Sequence, residues 1–162
     1  MSDLNELAQR VGERLQEQHR MLAVAESCTG GWVAKCLTDI AGSSQWFDRG
    51  FVTYSNAAKQ TMLGVSRAAL DAAGAVSEPT VREMAAGALE SSMATVTLAI
   101  SGIAGPGGGM PGKPVGTVCF AWAVAGSEVR AETRHFEGDR EAVRRQSVGH
   151  ALQGLLDVLG QG

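Results

Sequence analysis

The stretch MLAVAESCTGGWVAKCLTD, residues 21–39, decides the fold. Met21 to Glu26 is an apolar run of the length of a buried strand. SCTGG, residues 27–31, supplies a tight glycine-containing turn, and apolar positions return at helical spacing from Trp32 to Asp39. A strand, a short turn and a helix in this order form the unit that aims backbone N–H groups at a ligand.

Working outward, Leu4, Leu7, Ala8, Val11 and Leu15 fall at helical spacing, with Asp3 placed to cap an amphipathic first helix. GFVTYS, residues 50–55, predicts a second strand. Asn56 follows as the cap of a helix through Lys59 to Leu63. Gly64 to Ser66 closes that helix and opens another, with Ser66 as its cap. Ser77, Glu78 and Pro79 begin a helix that runs to about Met93. Thr95–Ile100 is an apolar, β-branched run and reads as a central strand.

Glycine and proline crowd SGIAGPGGGMPGKPVG, residues 101–116, which reads as a loop inside one domain rather than as strand interior or linker. Thr117–Val124 and Glu128–Phe136 are strands of an antiparallel hairpin turning at residues 125–127. A last helix runs from about Arg140 to Leu159 with Val143, Ser147, Ala151 and Leu155 on one face. The fold class expected is α/β: a three-layer α/β/α sandwich with a mixed sheet, and residues 1–162 as a single domain.

Composition sets the outer limits. Of 162 residues, 44% are hydrophobic and 19% charged, which suits a packed core and excludes a disordered chain. A net charge of −3 argues against a dedicated nucleic-acid-binding domain. No apolar run approaches a membrane span, and the charged N-terminus lacks the apolar core of a signal peptide. Cys28, Cys36 and Cys119 form no metal-spaced cluster and no paired framework, so the expectation is a cytoplasmic protein without disulfides or a metal site.

Two glycine-rich turns follow apolar strands, at 27–31 and 101–106, and both are expected at the ligand edge of the sheet. Neither carries a nucleotide-binding pattern, and either can be simple loop geometry. Ser27 sits where a strand meets a helix; it reads as a nucleophile with helix N–H groups beside it, or as an ordinary N-cap. His19, His135 and His150 fall on a helix end, an outer strand and a helix middle, so none is a good base. The chain has three lysines, Lys35, Lys59 and Lys113. Lys35 and Lys113 read as solvated charges. Lys59 reads as helix surface, or as a base for a serine if burial lowers its pKa, with Tyr54, the lone tyrosine, near enough to relay a proton or orient it.

AESCTGG (25–31), GFVTYSNAAK (50–59), GAVSEP (74–79), SGIAGP (101–106), KPVGTV (113–118) and GDREAVRRQ (138–146) together resemble the CinA C-terminal domain family. The similarity runs from about residue 4 to 158. It implies hydrolysis of the carboxamide of nicotinamide mononucleotide (NMN) to nicotinate mononucleotide and ammonia, in pyridine nucleotide salvage, with no cofactor and no metal. It implies Ser27 as nucleophile and Lys59 as base, assisted by Tyr54. Thr29, Gly30 and Gly31 are then expected to form the oxyanion site, Ser101, Gly102 and Gly105 to hold the pyridine or ribose, and Arg140 to meet the phosphate.

Larger family members carry an additional N-terminal domain; this chain is expected to start directly with the amidase domain. It departs from the family pattern at Gly107, where Asp commonly follows GIAGP, which removes a charge from the loop rim. Cys28, without a neighbouring histidine, reads as a packed small residue. The competing reading is a non-catalytic pyridine-nucleotide-binding or sensor module linked to competence or DNA-damage responses. Such a binder has no chemical need for the Ser27, Tyr54 and Lys59 set. The expected partner is a small-molecule substrate, with no nucleic acid and no membrane. Trp32, Trp46, Phe47 and Phe51 suggest a homodimer or larger homo-oligomer.

Overall fold

A five-stranded mixed sheet in the order β2-β1-β3-β4-β5 organises the chain. The computed structural model describes residues 3–160. Its strands are β1 (Leu22–Glu26), β2 (Phe47–Val52), β3 (Val96–Gly102), β4 (Thr117–Val124) and β5 (Arg130–His135). The helices are α1 (Leu4–Glu17), α2 (Trp32–Thr38), α3 (Asn56–Leu63), α4 (Arg67–Ala73), α5 (Glu78–Glu90) and α6 (Arg140–Gly160).

Strands β2, β1 and β3 run parallel, while β4 and β5 complete the sheet as an antiparallel hairpin. β1 and β3 are buried on both faces, which is why their sequences are continuous apolar runs rather than alternating ones. On one face Leu22, Val24, Leu98, Ile100, Phe120 and Trp122 pack against α1, α2 and α6. The other face is built of small residues, Ala25, Ala99, Ala121 and Ala123, beneath α5, α3 and Leu70 of α4. Small side chains let α5 lie close to the sheet, and the Thr97 hydroxyl donates to Ala85 O at 2.8 Å across that contact. The architecture is thus the expected α/β/α sandwich.

Several boundaries differ from the sequence reading, each for a local reason. β2 covers 47–52, not 50–55. Gly50 lies inside the strand because a Cβ there would come 3.3 Å from Val24 Cγ2 and 3.4 Å from Ala34 Cβ, where α2 crosses. Ser55, not Asn56, caps α3: its Oγ accepts from Ala58 N at 3.0 Å. α5 ends at Glu90, and β5 spans only 130–135. β3 continues through Ser101 and Gly102, inside the segment read as loop, because β4 pairs with both residues. Lys113 is half-buried rather than solvated, its Nζ donating to Ala73 O at 2.6 Å. Trp46 is 3% exposed, seated against Gly12 in the core, so it adds nothing to an exposed aromatic surface.

Candidate active site

Parallel pairing builds the site. Glu26 lies level with Val52 on one side and Ile100 on the other, so the next residues, Ser27, Thr53 and Ser101, form a row at the carboxyl edge. Ser27 N donates to Ile100 O at 3.0 Å and Thr53 N to Glu26 O at 2.8 Å, extending the ladder to that row. Three segments far apart in sequence therefore reach one edge, where ligands of open α/β sheets bind.

A cavity of about 280 Å³ opens there, bordered by Ser27, Tyr54, Lys59, Ser101, Gly102 and Arg140. Lys59 extends from the first turn of α3 back beneath the β2 end. Its Nζ lies 3.1 Å from Ser27 Oγ and donates to Thr53 O at 2.9 Å. At 1% exposure the amine has left water, and burial pushes its pKa below the ordinary lysine value, against a weaker opposing effect of Cys28. The helix-surface reading of Lys59 is therefore corrected: the Ser55 cap and the short β2–α3 connection turn this residue inward. Ser27 is buried and does not cap α2.

The loop that presents Ser27 is fixed by the residue before it. Glu26 is 1% exposed, and its Oε1 accepts from Thr29 Oγ1 at 2.6 Å, Gly31 N at 3.2 Å and Val33 N at 3.0 Å. Its Oε2 accepts from Ala34 N at 2.9 Å. A buried carboxylate with this set of donors serves as the cap of α2 that no side chain at Gly31 can supply. Sequence reasoning missed it; the signal was a charged residue closing an otherwise apolar strand.

Gly30 N donates to Ser27 O at 3.1 Å and Gly31 N to Glu26, so neither amide is free for an oxyanion, contrary to expectation. Gly30 and Gly31 instead adopt positive φ, 58° and 103°, to turn the chain into α2. Thr29 is fully buried.

Tyr54 borders the cavity but is 62% exposed, and its hydroxyl accepts from Arg140 Nη2 at 2.9 Å rather than contacting Lys59. Arg140 also donates Nη1 to Gly105 O at 2.8 Å, so it ties the β2 end to the glycine loop. Gly102 borders the cavity where a Cβ would lie 2.7 Å from Val118 Cγ2 and 3.1 Å from Cys28 Sγ; only glycine fits. Gly107 sits on the rim with open space around it. Cys28 is buried, which pushes its thiol up to about 12 and leaves it protonated and inert.

Among the histidines, His135 meets Val115 O and His150 meets Glu132. Among the described residues no cluster of three or more metal-ligating side chains occurs, and no helix is long and apolar enough to cross a membrane.

Fold and site together define a class: a three-layer α/β protein whose parallel-strand edge holds a buried serine–lysine pair in an open cleft. Within that class the chain belongs to the CinA C-terminal domain family, whose model matches residues 4–159. It is 56% identical over 154 residues to the Escherichia coli K12 protein named nicotinamide-nucleotide amidohydrolase PncC, covering 95% of this chain and 93% of that one. The Pseudomonas putida protein of the same name is 51% identical over 158 residues, covering 98% of each. The crystal structure of competence/damage inducible protein CihA from Agrobacterium tumefaciens superposes with a TM-score of 0.94 at 45% identity, covering 99% of this chain and 97% of that one.

Proposed function

We propose that the chain hydrolyses the carboxamide of NMN, giving nicotinate mononucleotide and ammonia, and that it acts as one amidase domain. The observation that carries this reading is the 3.1 Å approach of buried Lys59 Nζ to Ser27 Oγ in the strand-end cleft. The names of the relatives that match nearly the whole chain support the substrate.

In its neutral form Lys59 keeps one N–H on Thr53 O and turns its lone pair to Ser27, so the hydroxyl then donates to Nζ. Ser27 Oγ attacks the amide carbon as its proton passes to Nζ, and charge develops on the amide oxygen. Nζ returns that proton to the amide nitrogen, the C–N bond breaks, and ammonia leaves from an acyl-serine. Water, deprotonated by Lys59, attacks the ester; Ser27 recovers its proton and the acid departs. A buried amine suits both proton transfers because its lowered pKa brings it closer to working pH. No step calls on a metal or cofactor.

Arg140 supports a phosphate role: its guanidinium borders the cleft, and its two bonds leave further donors for an anion. Tyr54, Ser101, Gly102 and Gly105 complete the substrate wall. We further propose a cytoplasmic protein, in keeping with three free, buried cysteines. A homodimer or larger assembly fits half-buried Trp32, Phe47 and Phe51 and exposed Val52, and light scattering would read it directly. The deciding experiment is ammonia release from a panel of pyridine nucleotides and nucleosides with a chelator present. NMN should be turned over and the nucleosides poorly; no ammonia from any of them would refute the reading.

A further inference from the structure

Lys113 donates Nζ to Ala73 O at 2.6 Å, and that bond joins two walls of the Ser27 cleft. One wall is the α4–α5 connection, whose Ala75 and Val76 border the cleft. The other is the glycine loop, which brings Gly105, Gly107 and Gly108 to the same cavity. Among the described residues this is the one hydrogen bond between segments 73–77 and 103–116.

The two walls differ in what fixes them. Gly74 O accepts from Ser77 Oγ at 2.8 Å and from Thr80 Oγ1 at 2.7 Å, so the start of α5 holds the α4–α5 connection. The glycine loop has no helix and a single bridge, Met110 with Lys113. Its glycines make ordering costly in backbone entropy, so its position depends on anchors from outside. Arg140 supplies one at Gly105 O. Lys113 supplies another: Met110 and Lys113 exchange backbone bonds of 3.0 and 2.9 Å, and the lysine reaches Ala73 from that closed turn. Ala73 ends α4, where carbonyls lack intrahelical donors and a cation is favoured.

We propose that Lys113 is a positioning residue for substrate binding: it draws the glycine loop toward the α4–α5 connection and so sets the width of the cleft that a pyridine nucleotide fills. Lys113 does not border the cleft itself and acts through Gly105, Gly107 and Gly108. Without its bond the loop spends less time in place, and apparent affinity falls by that fraction. Ser27 and Lys59 stand on β1 and α3, outside this contact, so the chemical step is the less affected. This role rests on the reading of the cleft as the NMN site.

The test compares wild type, Lys113→Met and Lys113→Arg in ammonia release from NMN, resolved into kcat and KM, well below each melting temperature. Calorimetry of NMN binding to Ser27→Ala, with and without Lys113→Met, reads affinity apart from turnover. Lys113→Met should raise KM and Kd about tenfold, the loss of one charge-assisted hydrogen bond, with a smaller change in kcat. Lys113→Arg keeps a cation that can reach Ala73 O and should restore KM to within about threefold of wild type. If the Met variant does not fold, Lys113→Gln, one bond shorter but still polar, carries the same comparison. KM and Kd within about threefold of wild type, or a loss confined to kcat, would overturn the proposal while leaving the NMN reading intact. A wild type that neither binds NMN nor turns it over would remove the substrate and this role together.

Discussion

Replacing Lys59 by Met keeps the length and apolar body of the side chain and deletes the amine that faces Ser27 Oγ at 3.1 Å. Loss of a positioned general base costs about 10²–10⁴ in rate, which raises the barrier by roughly 3–5 kcal/mol. The variant should therefore keep at most about one part in 100 of wild-type kcat.

Stability should move differently, because two effects oppose. Thr53 O loses its donor, which costs about 1–3 kcal/mol. Removing an amine that is 1% exposed relieves a desolvation penalty, and that relief depends on pH. Burial holds the folded-state pKa of Lys59 below 10.5. Below that depressed value both folded and unfolded chains carry the proton, and the folded state bears the whole penalty. Between it and 10.5 the unfolded chain binds more protons, so wild-type stability rises with pH through that window. Methionine has no such dependence. The stability of Lys59→Met relative to wild type should be greatest in acid and should fall as pH rises toward 10.5. Ammonia release and thermal unfolding in the same buffers read both effects. A variant with more than about a tenth of wild-type kcat, or a stability difference that is flat or grows with pH, would refute the reasoning.

Arg140→Met removes the bonds to Gly105 O and Tyr54 Oη and should raise KM for NMN about tenfold with a smaller change in kcat. Glu132 is partly buried, which pushes its pKa up, but contact with His150 and nearby Arg134 and Arg130 outweighs that and holds the carboxyl below its usual range. Its contribution is present above the unfolded value and lost as pH falls through the folded one. Glu132→Gln should accordingly lower the melting temperature near pH 7 and leave it close to wild type in acid. At Gly154 an added Cβ would lie 2.1 Å from Trp122 Cζ2, in a ring that is 1% exposed and donates to Ala151 O at 3.1 Å. Gly154→Ala should cost about 1–3 kcal/mol and lower the melting temperature by roughly 2–12 °C in calorimetry.

The elements were legible where pattern and caps agreed. Leu4 to Leu15 behind Asp3, the dry strand at 22–26, the part of β3 up to Ile100 and the final helix all follow from the spacing or continuity of their apolar residues. β2 was misplaced because Gly50 reads as a boundary, while the close crossing of α2 that leaves little room for a side chain there is a tertiary fact. Ser27 and Lys59 could be named from motifs, but no sequence rule shows that Lys59 is buried. That depends on Glu26, Val52 and Ile100 standing in register, which brings both loops to one edge. Glu26 was hidden for the same reason. Its partners are mostly backbone N–H groups, whose direction is set only once the loop has closed. The oxyanion assignment to Gly30 and Gly31 failed because their amides close the turn itself.

The most direct test compares wild type and Ser27→Ala on NMN with a chelator present, measuring ammonia, nicotinate mononucleotide and, by calorimetry, NMN binding. Wild type should give equal amounts of the two products. The variant should show no detectable turnover but should still fold and bind NMN. Turnover by Ser27→Ala at a rate near wild type, or no nicotinate mononucleotide from the wild-type protein, would contradict NMN hydrolysis through Ser27.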